Sequence, residues 1–209
     1  MKILISAGPT REKIDPVRFL SNRSSGKMGY ALAEAVRDAG HEAILISGPV
    51  TLPPPAMVEL IKVESAAEMA QAVKQQAREA DVIIMAAAVA DYRPVKVHTN
   101  KMKKQAGNLI LELERTEDIL ASLGKIKTDG QLLVGFAAET NNVIEYATDK
   151  LKRKNLDWII ANDVSASDRG FATENNAVTM ISATGRIIEL PLDNKYNIAR
   201  SIIAHLLNY

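Results

Sequence analysis

Cysteine is absent from all 209 residues. The chain therefore forms neither a disulfide framework nor a thiolate metal site, which excludes a small secreted fold held by bridges and fits a reducing compartment. Charge of one sign is lacking too. Lysine and arginine number 26 against 25 aspartates and glutamates, a formal net charge of +1, so no global field draws the protein onto nucleic acid or an anionic membrane. Any anion has to be met by local clusters. Long apolar runs and a charged-then-apolar secretory segment are also missing, and we expect a cytoplasmic protein with neither a nucleic-acid nor a membrane partner. The spacing Gly-x-Gly-x-x-Gly does not occur, and Gly26-Lys27 has neither the following Ser or Thr nor the earlier glycine of a P-loop. His41, His98 and His205 are too scattered to form a metal set or a triad.

What the chain does have is alternation. With 47% hydrophobic and 24% charged side chains it has material for a substantial core, and we expect one domain over residues 1–209. Lys2 to Ser6 is an apolar run stopped by Gly8-Pro9-Thr10, which reads as a buried parallel strand. Tyr30, Ala31, Leu32, Ala35 and Val36 recur at helical spacing up to Gly40, and Ala43 to Ser47 supplies a second strand. After Pro53-Pro54-Pro55 and a short apolar stretch from Met57 to Val63, a helix is predicted from Ala66 to Arg78 and a strand from Asp81 to Ala88. Helices at Asp118 to Lys127 and Asn142 to Lys154 then alternate with strands at Leu132 to Phe136 and Trp158 to Ala161. Ala177 to Ser182 and Arg186 to Leu190 flank Thr184-Gly185, a C-terminal β-hairpin signal, before a closing helix from Tyr196 to Leu207. This rhythm predicts an α/β fold with a doubly wound, mainly parallel Rossmann-like sheet that binds ligands at strand carboxyl ends. Residues 98–115 break the rhythm. Lys101, Lys103 and Lys104 precede Leu109, Leu111 and Leu113 in alternation, which predicts a flap containing a strand.

Chemistry is expected along the carboxyl edge of the sheet. The long loop from Gly8 to Gly29 ends in Asn22-Arg23-Ser24-Ser25-Gly26-Lys27-Met28-Gly29, small residues at a helix start. Ser24, Ser25 and Gly26 read either as a phosphate- or carboxylate-binding turn or as a helix cap. Asn22 and Arg23 bring an amide and a guanidinium, groups that hold a carboxylate or acyl phosphate oxygen rather than attack it. Met85, Ala86 and Ala87 let a flat ligand approach the backbone, and Asp91 either pairs with Arg93 at the surface or holds Mg²⁺ beside a triphosphate. Phe136 either stacks on a base or belongs to the core. The basic clusters Lys101 to Lys104 and Lys150 to Lys154 are solvated faces or the cations of a triphosphate site, and of these phosphate contact is assigned to Lys101.

In order along the chain, Ala7 to Glu12 with Ile14 to Arg18, Ser21 to Gly29, Ala87 to Arg93, Lys101 to Lys104, Gly135 to Asn142, Arg153 to Asp157 and Ala161 to Val164 resemble bacterial phosphopantothenoylcysteine synthetase. The resemblance spans nearly the whole chain. It implies a CTP-dependent acid–amino acid ligase of coenzyme A biosynthesis, in which 4′-phosphopantothenate and CTP give an acyl-cytidylate and pyrophosphate. L-cysteine then displaces CMP to form 4′-phosphopantothenoyl-L-cysteine. Mg²⁺ and CTP as co-substrate are implied, and no flavin in this chain. By the same resemblance Asn22 acts on the acyl-cytidylate and Lys101 serves the site from the flap, while Met85, Ala86, Ala87, Asp91, Lys101, Phe136, Lys150 and Lys154 contact CTP. Glu117, Asp118, Ile119 and Leu120 stand where relatives carry Pro-Asp-Ile-Val; Glu117 departs from that pattern, so only its backbone contact carries over. Relatives are homodimers whose partner helps complete the site, and in many bacteria the domain is fused behind a flavin-dependent phosphopantothenoylcysteine decarboxylase. A nicotinamide-dependent oxidoreductase lacks its glycine fingerprint here, and a non-catalytic nucleotide-binding module is the remaining alternative.

Overall fold

A computed structural model describes residues 1–104, 106–139, 143–163 and 175–208. Thr140, Asn141, Asn142 and Val164, which end two of the family-like segments, lie outside the described residues. Strand β1 (Lys2–Ala7) is buried from Ile3 onward, as a mid-sheet parallel strand covered on both faces must be. The long loop after it folds into a small hairpin, β2 (Arg11–Lys13) with β3 (Phe19–Ser21), which the sequence pattern does not reveal. Helix α1 (Lys27–Asp38), β4 (Glu42–Ser47), β5 (Glu59–Lys62), α2 (Ala66–Ala77) and β6 (Val82–Met85) follow. Next come β7 (Tyr92–Pro94), β8 (Leu113–Arg115), α3 (Ile119–Ile126), β9 (Leu132–Glu139), α4 (Val143–Arg153) and β10 (Trp158–Asp163). The hairpin β11 (Asn175–Ser182) and β12 (Ile187–Asn194) leads to α5 (Lys195–Leu207).

The main sheet runs β12-β11-β10-β9-β6-β1-β4-β5, parallel from β5 to β10 and antiparallel across β11 and β12. The chain starts in the middle, builds outward to β5, then returns to the other side of β1 at β6. That reversal parts the connections after β1 and β6 and leaves a crevice at their carboxyl ends. Side chains alternate between two cores. Ile3, Ile5, Ile84, Trp158 and Ile160 pack with α1 and α5, and Leu4, Ile83, Leu133 and Ile159 with α2, α3 and α4. Both faces are covered, as the doubly wound pattern requires. No helix among the described residues is long and apolar enough to cross a membrane.

Two expectations change. The flap has no strand through Leu109 and Leu111; only Leu113–Arg115 is extended, paired antiparallel with β7. Leu109 and Ile110 are exposed, and the equally exposed strand β8 forms where the chain finds β7 as a partner. The apolar run from Asp81 likewise leaves the sheet after Met85. There the Ser6 hydroxyl takes the Ala87 N–H at 3.2 Å, and Ala88 makes only an isolated bridge to Pro9.

Gly124 in α3 sets how closely the end of α4 docks. A Cβ at this position would stand 1.9 Å from the Lys154 carbonyl oxygen, and the Asn155 side chain donates to the Gly124 carbonyl at 2.8 Å. Gly124→Ala is expected to destabilise the fold by about 1–3 kcal/mol through overpacking. Urea denaturation measures it, and an unchanged midpoint would remove this contact as the determinant of α4 docking.

Candidate active site

The crevice opens into a cleft of about 550 Å³ at the carboxyl ends of β1, β6 and β9. Its walls are Asn22 to Gly29, Met85 to Val89 with Asp91, Thr116 to Leu120, Phe136 and Ala137, and Lys150 and Lys154. Asn22, Ser24, Ser25, Gly26, Met85, Ala86, Ala87, Asp91, Glu117, Asp118, Ile119, Leu120, Phe136, Lys150 and Lys154 therefore share one space. Lys101 does not line it.

One end of the cleft is the start of α1. Its N-cap is Gly26, in the left-handed conformation at φ 77°, and no side chain caps the helix. Ser24 and Ser25 approach the Gly26 and Lys27 N–H groups only at 3.4 and 3.5 Å, too long for a strong bond. The first-turn N–H groups of α1 and the helix dipole thus face the cleft, the arrangement that receives anions. Val50 closes the other side of this turn. Its Cγ1 would lie within 2.9 Å of a Cβ on Gly8 and within 2.8 Å of one on Gly26, so the valine methyl occupies the space both glycines leave.

Asn22 is anchored to the connection after β6. Its Nδ2 donates to the Ala88 carbonyl at 3.2 Å and the Val89 carbonyl at 3.0 Å, which engages both amide hydrogens. Donation to a ligand oxygen, expected from the sequence, is therefore replaced in this arrangement by a single available acceptor, Oδ1.

The opposite wall is cationic. Lys154 Nζ lies 2.8 and 2.7 Å from the two carboxylate oxygens of Asp118, which also caps α3 by accepting the Ala121 N–H at 3.0 Å. Burial pushes the Asp118 carboxyl up, but the hydrogen bonds from Lys154 and Ala121 and the charges of Lys154 and Lys150 outweigh it and hold the group below its ordinary value. Lys150 Nζ donates to the Phe136 carbonyl at 3.2 Å. The Glu117 carboxylate is taken by Lys74 and by Ser122, which hold its carboxyl below the usual range, so what Glu117 offers the cleft is backbone.

Asp91 is exposed at the lip, and its carboxylate has neither an ion pair nor a hydrogen bond among the described residues. The sequence-based pairing with Arg93 does not form, because Arg93 binds Glu114 across β7 and β8 at 2.8 Å. Among the described residues no three His, Cys, Asp or Glu side chains converge on a metal position. A carboxylate without a partner among the described residues, lining the same cleft as the first turn of α1, fits Mg²⁺ held jointly by protein and phosphate oxygens.

Thr116, Asn176 at the start of β11 and Lys195 in the first turn of α5 line the cleft and escaped the sequence reading, and Asn162 at the end of β10 entered it only within the family-like segment Ala161 to Val164. Asn162 and Asn176 are 9% and 2% exposed, and the Oδ1 of each has no hydrogen-bond partner among the described residues. Polar residues ending a buried run were the available signal at Asn162. Nothing local marks Lys195, since a lysine in a first helical turn reads as solvated. A buried acceptor without a donor costs about 1–3 kcal/mol. Asn176→Leu is therefore expected to leave the unliganded melting temperature equal or higher while weakening ligand binding roughly tenfold. Thermal-shift titrations with CTP and with 4′-phosphopantothenate check this; undiminished shifts with both would dissociate Asn176 from ligand binding.

The profile of the DNA/pantothenate metabolism flavoprotein C-terminal domain matches residues 1–209. The coenzyme A biosynthesis bifunctional protein CoaBC of Bacillus subtilis is 51% identical over 205 residues, covering 98% of this chain and 50% of that protein. A cysteine/cysteine sulfinic acid decarboxylase from an unknown prokaryotic organism is 47% identical over 207 residues, covering 99% and 58%. The crystal structure of the C-terminal domain of a CoaBC protein matches with a TM-score of 0.84 at 53% identity, covering 98% of this chain and 93% of that one. This chain thus spans about half the length of the curated relatives it matches. It belongs to the DNA/pantothenate metabolism flavoprotein C-terminal domain family.

Proposed function

We propose that the cleft is the active site of a phosphopantothenate–cysteine ligase of coenzyme A biosynthesis, using CTP. The observation that carries this reading is the meeting, in one cleft, of an uncapped helix start, the lysines Lys150 and Lys154, and the anchored amide of Asn22. In the first step a carboxylate oxygen of 4′-phosphopantothenate attacks the α-phosphorus of CTP; an O–P bond forms, the bond to pyrophosphate breaks, and pyrophosphate leaves. In the second the cysteine amine attacks the acyl carbon, the C–O bond to CMP breaks, and the amine proton is released. Both steps need charge neutralisation and alignment more than a nucleophile from the protein.

The chain's own groups divide this work. The first-turn amides of α1 receive an anionic group, the backbone at Met85 to Ala87 and the ring of Phe136 hold the base, and Lys150 and Lys154 meet the nucleotide from α4. Asn22 Oδ1 accepts from the incoming amine and orients it at the mixed anhydride. Asp91 would hold Mg²⁺ together with phosphate oxygens, and the ion would supply neutralisation of triphosphate charge. Lys101 adds a cation from the flap.

A second copy of the chain completes the protein on this reading. Phe19, Tyr92 and Leu113 are exposed on the two small sheets, β2–β3 and β7–β8, and β2 and β7 touch. That apolar surface supports a homodimer. Sedimentation velocity is expected to give a dimer that Phe19→Asp dissociates; a monomeric wild-type chain would end this part of the proposal.

The ligase reading is tested by pyrophosphate release with 4′-phosphopantothenate, cysteine and either CTP or ATP. CTP- and phosphopantothenate-dependent release followed by cysteine-dependent CMP is expected. Carbon dioxide from cysteine sulfinate without pyrophosphate would favour decarboxylation instead, and saturable NADPH binding without CTP binding would favour an oxidoreductase. In quenched single turnovers Asn22→Asp is expected to slow consumption of the acyl-cytidylate more than its formation. The new carboxylate would face the Ala88 and Val89 carbonyls without donors. Unchanged decay of the intermediate would remove Asn22 from the second step. Lys101→Gln is expected to lower turnover at least about tenfold with the fold intact.

A further inference from the structure

The root of the flap is tied to the turn between β2 and β3. His98 N–H donates to the Ile14 carbonyl at 2.9 Å. Four residues on, Met102 is held by both of its backbone groups: its N–H donates to Asp15 Oδ2 at 3.1 Å, and its carbonyl accepts from Arg18 Nη2 at 3.1 Å. Asp15 is 2% exposed. Its Oδ1 accepts the N–H groups of Val17 and Arg18, each at 2.9 Å, and its Oδ2 accepts Arg18 Nε at 3.0 Å as well as Nη2. The far end of the flap is tied separately, Val95 N–H donating to the Glu112 carbonyl at 3.0 Å.

Lys101 therefore sits between two fixed points, His98 and Met102. Beyond Met102 the chain is different. Lys103, Lys104, Asn108, Leu109 and Ile110 are exposed, and Gly107 has φ 93° with open space, nothing within 4 Å, where a Cβ would stand. The lysine that the ligase reading uses belongs to the tied part of the flap.

We infer that Asp15 is a positioning residue for the reaction: its buried carboxylate grips Met102 directly and through Arg18, and so fixes where Lys101 starts. The inference rests on the ligase reading for the role of Lys101, but not for the clamp itself. Charge is essential to it, because every group pointing at the carboxylate is a donor. Asparagine would turn two amide hydrogens toward N–H groups and would lose the charged hydrogen bonds. The Arg18 hydrogen bonds hold the Asp15 carboxyl well below the usual carboxylate range despite burial, with the Val17, Met102 and Arg18 N–H groups adding to the effect. The clamp is therefore charged at every pH at which a ligase works.

Trypsin reads the clamp directly, since Lys101, Lys103 and Lys104 flank Met102. In the full chain under native conditions, Asp15→Asn and Arg18→Lys are each expected to speed cleavage at these lysines roughly ten- to a hundredfold. Cleavage elsewhere should not change. With CTP and phosphopantothenate, kcat for pyrophosphate release should fall at least about tenfold while KM for CTP stays the same. Wild-type flap cleavage in both variants would overturn the inference, as would an equal rise in cleavage over the whole chain. So would faster flap cleavage with unchanged kcat. If Asp15→Asn does not fold, Arg18→Lys decides the matter, because its side chain is 42% exposed and only its fork is lost. A wild-type chain that releases no pyrophosphate sinks the ligase reading, and the cleavage rates still show whether Asp15 holds the flap root.

Discussion

At Gly29 a missing side chain lets the first turn of α1 rest against the end of β1. A Cβ there would stand 2.5 Å from Ala7 Cβ and 3.1 Å from the Ser6 carbonyl. Because the helix arrives so close, its first-turn amides face the reversal of strand order between β1 and β6. The rest of the cleft is arranged around that approach. Met28 comes to lie beside Asn176, and the loop ahead of α1 brings Asn22 onto the carbonyls of Ala88 and Val89.

The opposite wall shows how a nearly neutral chain supplies local charge. Lys154 is held by Asp118, Lys74 by Glu117, and Lys127 by Asp157, whose carboxylate also takes the Leu133 N–H at 2.7 Å. Each pair joins two elements around α3 or β9, so the carboxylates position the cations and the backbone together. An anion reaching Lys154 meets a cation already shared with Asp118. Its affinity for that wall depends on how the pair rearranges, which is a softer attraction than an isolated lysine would give.

The alternating rhythm of buried strands and amphipathic helices was readable because both faces of the sheet are covered, so apolar runs and helical spacing report burial directly. Most cleft residues were readable for a related reason: small or polar residues at the ends of buried runs fall on the carboxyl edge. The hairpin β2–β3 was not, since three-residue strands carry too few positions to show a period. Leu109 and Leu111 misled in the opposite way, alternating where nothing is buried. Lys195 and Asn176 belong to the cleft only because the antiparallel strands β11 and β12 return the chain to that edge, a long-range fact with no local trace. Asp15 enters the sequence reading only within the family-like segment Ile14 to Arg18, and its grip on Met102 spans 87 positions.

Val50 has a consequence for ligand size. Its methyl fills the gap between Gly8 and Gly26, at the point where the two halves of the sheet meet. A molecule laid across both halves, as a two-nucleotide cofactor is, would have to push that methyl aside. One aliphatic wedge thus stands between the pocket on the β4 side, which Val50 lines, and the cleft on the β6–β9 side.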